Sequence, residues 1–261
     1  MTDILKTIIT AKRQEIAAKA ALGLYDTIII ESAAACTHEV ISMSRALAAS
    51  QSGIIAEFKR RSPSKGDIHP AADVASVVPA YENSGAAACS ILTDTRFFGG
   101  SLNDLALARS LTRLPLLRKD FIIDERQIFE ARAFGADAVL LIAAALSFDE
   151  ICRFTNTAHS LGLEVLLELH DESELDRLVA TVDMVGINNR NLSTFATDTK
   201  ASVRMASSLP DSMVKVAESG ITDMKEVSHL RKAGYRGFLI GETFMKHDNP
   251  GHALKSFINE H

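Results

Sequence analysis

The sequence contains no tryptophan, only three cysteines and only 6% aromatic residues, so its core must be built mainly from aliphatic side chains. The cysteines, Cys36, Cys89 and Cys152, lie far apart and form no CxxC pair, which favours buried free thiols in a reducing compartment over disulfides. None of the eight histidines has the spacing of a metal-binding motif such as HExxH. The sequence therefore gives no support for a disulfide framework or a metal centre.

Long apolar runs are also missing, because no uncharged stretch approaches the roughly 18 residues that a membrane-spanning helix needs. Near the N-terminus, charged residues such as Lys6, Lys12 and Arg13 interrupt the apolar positions, which argues against a signal peptide. The net charge of −5 gives no general attraction to nucleic acid or to anionic membranes. We therefore expect a cytoplasmic protein that binds neither nucleic acid nor a membrane.

What the sequence does contain is an alternation of strand-like and helical patterns from residue 54 onward, which predicts a parallel sheet. Eight such units in about 200 residues match a (β/α)8 TIM barrel of the α/β class. Glycines close four of the helical patterns, as expected of left-handed helix caps. A doubly wound open sheet is the alternative, but no GxGxxG motif follows the first strand. The strand-like runs begin near Ile54, Ala87, Leu116, Ala138, Val165, Met184, Val214 and Gly237.

Two amphipathic patterns precede the first strand, at residues 3–21 and 39–49, and predict helices packed outside the barrel or across its mouth. Residues 25–30 are ambiguous, because three consecutive isoleucines favour a strand while the flanking residues do not. We therefore expect a single domain that consists of an N-terminal helical extension over residues 1–50 and a barrel over residues 51–261.

Charged and polar residues stand at the ends of five of the predicted strands. In a barrel of this kind the catalytic groups gather at the carboxyl ends of the strands, so these side chains should meet. Any one of them could be a rim residue facing water, but three carboxylates, two lysines and one arginine at the same edge are hard to explain that way. In chain order the residues are Glu57 and Lys59, Lys119, Glu168, Asn188 and Arg190, and Glu218.

The loops after the last two strands carry glycines, in Ser219-Gly220 and in Gly241-Glu242. These glycines could simply close tight turns. However, barrels often bind phosphate after their seventh and eighth strands, where backbone N–H groups at a helix N-terminus hold the anion. We therefore expect a phosphate site here, to which Glu242 contributes only its backbone while its side chain turns away.

Seven separated segments carry a family resemblance. They are residues 57–66 (EFKRRSPSKG), 92–94 with 97–101, 117–121, 167–170, 186–192, 217–221 and 240–242. In this order they closely resemble the motifs of indole-3-glycerol phosphate synthase, of the tryptophan pathway. The resemblance covers residues 54–245 and implies a carboxy-lyase that closes the indole ring of 1-(2-carboxyphenylamino)-1-deoxyribulose 5-phosphate, with loss of carbon dioxide and water. It also implies a small phosphorylated substrate, no cofactor and a monomer.

The resemblance further implies a role for each site residue. Lys119 is the expected general acid and Glu168 the expected base, whereas the rival assignment gives the first proton to Lys59. Lys59 is otherwise expected to hold the substrate carboxylate, while Glu57 and Glu218 stabilise positive charge and keep both lysines protonated. Asn188 and Arg190 suit the substrate hydroxyls and carboxylate. The expected phosphate residues are Ser62, Ser219, Gly220, Gly241 and Glu242, and the expected aryl pocket contains Pro63, Phe98, Phe121 and Leu192.

Two other function classes remain open at this point. Related barrels share phosphate loops, so an isomerase or lyase acting on another sugar phosphate is the alternative enzyme, with the lysines suited to Schiff-base chemistry. A non-catalytic sensor of phosphorylated ligands is the alternative outside enzymes. Such a sensor should have lost some of the charges at the strand ends, and none is missing here.

Overall fold

Eight parallel strands close into a barrel in the computed structural model, which describes residues 3–35, 39–191 and 194–260. Each strand pairs with the next one along the chain, and the first also pairs with the last, so that Ile55 stands between Ala88 and Leu239. The predicted barrel is confirmed and the open sheet is wrong. The strands are β1 (Ile54–Phe58), β2 (Ala88–Leu92), β3 (Leu116–Lys119), β4 (Ala138–Ile142), β5 (Glu164–Leu169), β6 (Met184–Asn188), β7 (Val214–Glu218) and β8 (Gly237–Ile240).

Helices precede the barrel and connect its strands. The α-helices are α1 (Asp3–Ala21), α2 (Leu24–Ala35), α3 (Met43–Ala49), α4 (Val74–Asn83), α5 (Thr95–Phe98), α6 (Leu102–Leu111), α7 (Arg126–Ala133), α8 (Phe148–Ser160), α9 (Lys200–Met205), α10 (Met224–Lys232), α11 (Glu242–Met245) and α12 (Pro250–Asn259). Short 3-10 helices cover Ala143–Ala145, Glu172–Arg177 and Ala206–Ser208, and a small hairpin pairs Arg61–Ser62 with Gly66–Asp67. In the described part of the chain, no helix combines the length and the apolarity that a membrane crossing requires.

The barrel interior is filled by alternate residues of the strands, because successive side chains of a strand point to opposite faces. Leu117, Leu166 and Val216 belong to this inner cluster, and the outward-facing residues pack against the helices in a second apolar layer. Met43 and Leu47 of α3 join the inner cluster with no exposed surface. Helix α3 thus closes one end of the barrel and leaves the carboxyl ends of the strands for chemistry.

The segments before the barrel differ in part from the sequence-based expectation. The helix expected over residues 39–49 begins only at Met43. The ambiguous stretch 25–30 lies inside α2, whose Tyr25 is buried beneath the guanidinium of Arg126 at 4.8 Å from the ring centre. Of the cysteines, Cys89 and Cys152 are free, and Cys36 lies outside the described residues.

Candidate active site

A cavity of about 500 Å³ opens at the carboxyl ends of the strands, a size suited to a small ligand. Helix α1 runs along its mouth and contributes Ile4, Leu5 and Ile8 to its lining, so part of the N-terminal extension does cross the mouth. The predicted site residues line this cavity, with two exceptions. Glu218 lies just below its floor, and Leu192 lies outside the described residues.

Lys119 forms the centre of the polar floor. Its Nζ lies 2.6 Å from Oε2 of Glu218 and 3.5 Å from Oε2 of Glu168. All three residues occupy inward-facing positions near the carboxyl ends of their strands. The side chains of both glutamates are almost completely buried. Burial alone would lower the pKa of Lys119, but Glu218 and Glu168 outweigh it and raise that pKa above the ordinary lysine range. The site therefore holds a lysine that is protonated at neutral pH.

The two carboxyl groups beside Lys119 differ in pKa, because two carboxyl groups that share one buried site cannot both ionise easily. Burial together with the charge of Glu168 raises the pKa of Glu218 to about 8, although Lys119 opposes the shift. Burial also disfavours the charge of Glu168, but Lys119 and His170, with hydrogen bonds from Glu218 and Asn188, lower its pKa. At neutral pH an ionised Glu168 therefore lies beside a protonated Glu218, which is the arrangement of a base next to an acid.

A second ion pair lies on the wall formed by β1. Lys59 Nζ is 2.5 Å from Oε1 of Glu57, and both side chains point into the barrel mouth, as their spacing of two residues predicts. Burial opposes ionisation of Glu57, but Lys59 and then Lys119 outweigh it and lower its pKa. Arg60, which directly follows Lys59, turns to the other face and binds Asp104 at 2.7 Å. The alternation therefore sends only Glu57 and Lys59 into the cavity.

Two glycines, Gly186 within β6 and Gly241 directly after β8, leave room for the buried carboxylates. A Cβ atom added at Gly186 would stand 2.4 Å from Oε1 of Glu218, and one added at Gly241 would stand 2.3 Å from Oε1 of Glu57. Both contacts are shorter than van der Waals packing allows. Gly186 was not among the predicted site residues, and Gly241 was predicted for its backbone alone. Each glycine therefore also sets the position of a carboxylate.

The loop after β1 meets the loops after β6 and β8 across the cavity. Arg190 Nη2 lies 3.6 Å from Oε2 of Glu242, and Lys65 Nζ lies 3.1 Å from Oε1 of the same carboxylate. Arg190 also donates to Ser64 Oγ at 3.4 Å. The Glu242 side chain, which was expected to turn away, therefore lines the cavity and binds these two cations, because both lie within reach of its carboxylate.

The expected phosphate loops lie together at one end of the cavity, with Ser62 nearby. Ser219 and Gly220 both have left-handed backbone, with φ of 65° and 78°, a conformation that costs a serine free energy and is common at functional sites. Asn189 stabilises this turn, since its buried Nδ2 donates to the carbonyls of Glu218 and Ser219 at 3.0 Å and 3.2 Å. The turn is thus held open toward the cavity.

The opposite end of the cavity is apolar. The rings of Phe98 and Phe121 pack with centres 5.9 Å apart, and Pro63 also lines the cavity. Leu140 and Ile142 of β4 complete this apolar end of the cavity. These two residues were not predicted, although the alternation along β4 places them on the inward face.

His170 is a polar neighbour of the site that was not predicted from the sequence. It follows β5 directly, and its Nε2 lies 3.3 Å from Oε1 of Glu168. The spacing of two residues from Glu168 was a usable signal, because it places both side chains on one face. As for metals, among residues 3–35, 39–191 and 194–260 no group of three His, Cys, Asp or Glu side chains is arranged to hold an ion.

Comparison with known proteins agrees with this geometry. A family model described as indole-3-glycerol phosphate synthase matches residues 5–257. The chain is 54% identical over 261 residues to the indole-3-glycerol phosphate synthase of Bacteroides thetaiotaomicron, covering 99% of this chain and 98% of the relative. It is 48% identical over 252 residues to that of Neisseria meningitidis serogroup C, covering 95% and 96%.

A solved structure shares the fold at much lower sequence identity. N-acetylmannosamine-6-phosphate 2-epimerase from Clostridium perfringens matches with a TM-score of 0.61 at 13% identity, covering 85% of this chain and 97% of that chain. This likeness shows the barrel alone. The family model and the two relatives, in contrast, span nearly the whole chain. The resemblance drawn from the seven motifs is therefore confirmed, and the chain belongs to the indole-3-glycerol phosphate synthase family.

Proposed function

We propose that the polar floor around Lys119 carries the reaction of this family. The chain is a carboxy-lyase of tryptophan biosynthesis that converts 1-(2-carboxyphenylamino)-1-deoxyribulose 5-phosphate to indole-3-glycerol phosphate, carbon dioxide and water. The observation that carries the assignment of residues is the ammonium of Lys119 between Glu168 and Glu218, at the floor of the cavity. Family membership favours this reaction over the isomerase and sensor alternatives.

In the first step the aryl ring carbon attacks the substrate ketone, so negative charge develops on the ketone oxygen. An ammonium in a buried site stabilises such charge strongly, because little water competes with it. Lys119 is the best-placed donor, since its Nζ lies at the floor and stays protonated beside two carboxyl groups. It hydrogen-bonds the ketone oxygen as charge develops and transfers its proton on ring closure.

The later steps release carbon dioxide, which restores the aromatic ring, and then eliminate the hydroxyl group as water. Elimination needs a base to take a proton from the ring system and an acid for the departing hydroxyl. Glu168 is the base, because its lowered pKa keeps it ionised at neutral pH. Lys59 holds the substrate carboxylate before that group leaves as carbon dioxide, and the contact of Lys59 with Glu57 orients the lysine.

The two ends of the cavity hold the two ends of the substrate. The phosphate lies against the backbone of Gly220, Gly241 and Glu242, with the hydroxyls of Ser62 and Ser219. The aryl ring lies against Phe98, Phe121 and Pro63. Arg190 and the neighbouring Asn188 bind the substrate hydroxyls and carboxylate, since a guanidinium binds a carboxylate at two points. The anionic substrate thereby competes with Glu242 for Arg190 and Lys65.

The proposal also covers the organisation of the chain. Residues 1–261 form a single domain in which residues 1–50 are the helical extension and residues 51–261 the barrel. The enzyme acts as a monomer in the cytoplasm, without a cofactor, on a small phosphorylated substrate. The support for a monomer is the net charge of −5, because like charges oppose self-association.

Single-turnover mixing tests the roles of the two central residues. Lys119→Ala should lower turnover by about 10² to 10⁴-fold, the usual worth of general acid catalysis, and should stop the reaction before carbon dioxide is released. Glu168→Gln should bind substrate and release carbon dioxide but form indole product slowly. Lys225→Ala, an exposed lysine of α10, is the control and should behave like the parent.

Carbon dioxide release decides between the two lysines. If Lys119→Ala still releases carbon dioxide at the parent rate and stalls only afterwards, Lys59 donates the first proton. If Lys119→Ala and Glu168→Gln both retain full turnover, the floor around Lys119 is not the catalytic centre.

A further inference from the structure

The imidazole of His170 occupies the side of Glu168 that Lys119 leaves free. Lys119 Nζ stands 3.5 Å from Oε2 of Glu168, whereas His170 Nε2 stands 3.3 Å from Oε1. Each oxygen of the carboxylate thus has its own cationic or potentially cationic neighbour. Two such neighbours on opposite oxygens limit the rotation of the carboxylate plane.

His170 is itself held by a second carboxylate. Its Nδ1 lies 3.6 Å from Oε2 of Glu174, and the same oxygen accepts the backbone N–H of His170 at 2.8 Å. The side chain of His170 is only 10% exposed and that of Glu174 only 13%. The result is a row of carboxylate, imidazole and carboxylate that runs from the 3-10 helix Glu172–Arg177 to the cavity.

The ring nitrogens of His170 lack well-aligned hydrogen bonds to any residue that the structure describes, although both are buried. A buried imidazole that only fills space in a core usually satisfies at least one nitrogen. Hydrogen bonds around catalytic groups, in contrast, are often poorly aligned in the empty enzyme and tighten when substrate binds. The contacts of His170 are therefore typical of a group that works in the site.

We infer that His170 is a positioning residue for the base: it orients the Glu168 carboxylate toward the substrate and supplies it with a compensating positive charge, while Glu174 holds the imidazole in place. The inference rests on the role of Glu168 in the proposed function. Glu168 must stay ionised although it is buried, and a cation beside its Oε1 stabilises that charge.

The charges that face His170 support this role. Burial would lower the pKa of the imidazole, but Glu174 and Glu168, with a smaller contribution from Glu218 on β7, outweigh burial and raise it. Conversely, His170 is the second-largest of the charges that lower the pKa of Glu168, after Lys119. Removal of the imidazole should therefore raise the pKa of Glu168 and shift the acid limb of the pH–rate profile to higher pH.

Two variants separate the charge of the imidazole from its hydrogen bond. His170→Leu removes both and should lower kcat by about 10 to 10²-fold, as expected for a misplaced catalytic group, and shift the acid limb of kcat/KM upward. His170→Gln keeps an N–H donor but no charge, so it should retain more of kcat while showing the same upward shift. The control is His159→Gln, which breaks a similar pair with Asp183 (2.9 Å) on the outer face and should leave both quantities unchanged.

A measurement that needs no substitution of His170 covers the case in which these variants fail to fold. Coupling between two titrating groups is reciprocal, so the ring of His170, followed by NMR, should titrate at lower pH in Glu168→Gln than in the parent. The inference is overturned if that titration is unchanged, or if folded His170→Leu keeps the kcat and the acid limb of the parent. Full turnover in Glu168→Gln would instead overturn the role of Glu168 in the proposed function.

Discussion

At the scale of single residues, the chemistry of the floor depends on how Glu168, Glu218 and Lys119 divide their protons. Lys119 stabilises whichever carboxylate is ionised, and the buried pair then favours one negative charge over two. Glu168 carries that charge because His170 and Asn188 also support it, whereas Glu218 Oε1 has no hydrogen-bond partner among the described residues. The difference between base and acid therefore arises from the neighbours and not from residue type.

The raised pKa of Glu218 makes a prediction about stability. A carboxyl group that binds its proton more tightly in the folded state contributes stability that is complete below its unfolded pKa and is lost as pH rises through its folded pKa. For Glu218 this window extends from the ordinary value of 4.5 to about 8. In urea unfolding from pH 5 to pH 8, the parent should lose stability relative to Glu218→Gln, by at most about 1.4 kcal/mol per pH unit.

Glu172→Gln is the matched control, since it removes an exposed carboxylate from the short helix after β5. It should follow the parent at every pH. Equal pH dependence in the parent and in Glu218→Gln would mean that Glu218 is already ionised in the folded enzyme, and its assignment as the protonated partner would be wrong.

The positions of the site residues could be predicted from sequence, but their charge states could not. Alternation along a strand places Glu57 and Lys59 on one face, and barrel topology brings them to Glu168 and Glu218. The sequence analysis expected Glu218 to be ionised and to keep the lysines protonated. Its raised pKa depends on burial and on the distance to Glu168, which only the packed structure defines.

At the scale of elements, α1 is tied to the barrel by a buried lysine. Lys12 Nζ lies 3.1 Å from Asp94 and 3.0 Å from Asp120, and its side chain is only 2% exposed. Asp120 directly follows Lys119, and it also binds Arg118 at 3.0 Å. The same helix carries Ile4 and Ile8 over the cavity. The contacts of Lys12 with the barrel therefore also hold the part of α1 that covers the cavity.

Lys12→Met should show how much this attachment contributes. The change keeps the length of the side chain but removes the cation that Asp94 and Asp120 share, although Asp120 keeps Arg118 as a second cation. Breaking a buried ion pair costs about 3–5 kcal/mol. The free energy of unfolding should fall by that amount, and KM should rise because α1 covers the cavity less firmly. Urea unfolding and steady-state kinetics measure the two effects.

Two controls accompany the Lys12 variant. Lys6→Met replaces an exposed lysine on the same helix and should change neither quantity. Asp94→Asn in the Lys12→Met background should recover part of the lost stability, because one of the two carboxylates that lost Lys12 is no longer charged while the cap on Phe97 can remain. Unchanged stability in Lys12→Met would show that α1 is held by its apolar contacts alone.

Prediction of helices and strands from sequence succeeded where one face of the element is apolar. It failed where tertiary contacts determine the secondary structure. The strands and α1 have clear periodicity: each strand begins within one residue of its predicted start, and α1 covers the predicted residues 3–21. Helix α2 was ambiguous because its isoleucines are not core residues: Ile29 is 40% and Ile30 72% exposed. Its position depends instead on packing against α7, to which Tyr25 contributes by lying under Arg126.

At the scale of the whole molecule, the barrel, its bottom and its cover come from consecutive parts of one chain. Helix α3 closes one end with Met43 and Leu47, the strands supply the floor, and α1 crosses the other end. The barrel could be predicted from the count of alternating units. The separate positions of the first three helices on the barrel could not be predicted, because their patterns show an apolar face but not the surface that this face covers.

This arrangement predicts that the enzyme is a monomer, since no second copy is needed to complete the described cavity. The net charge of −5 also opposes self-association. Four of the seven exposed large apolar side chains in the described part of the chain, Leu22, Leu24, Ile29 and Ile30, lie around the turn between α1 and α2, where a second copy could dock. Sedimentation velocity across the micromolar range should give one species near 28.2 kDa, with parent and Ile30→Glu alike. A parent dimer that Ile30→Glu converts to a monomer would show that this turn is an interface and that the monomer proposal is wrong.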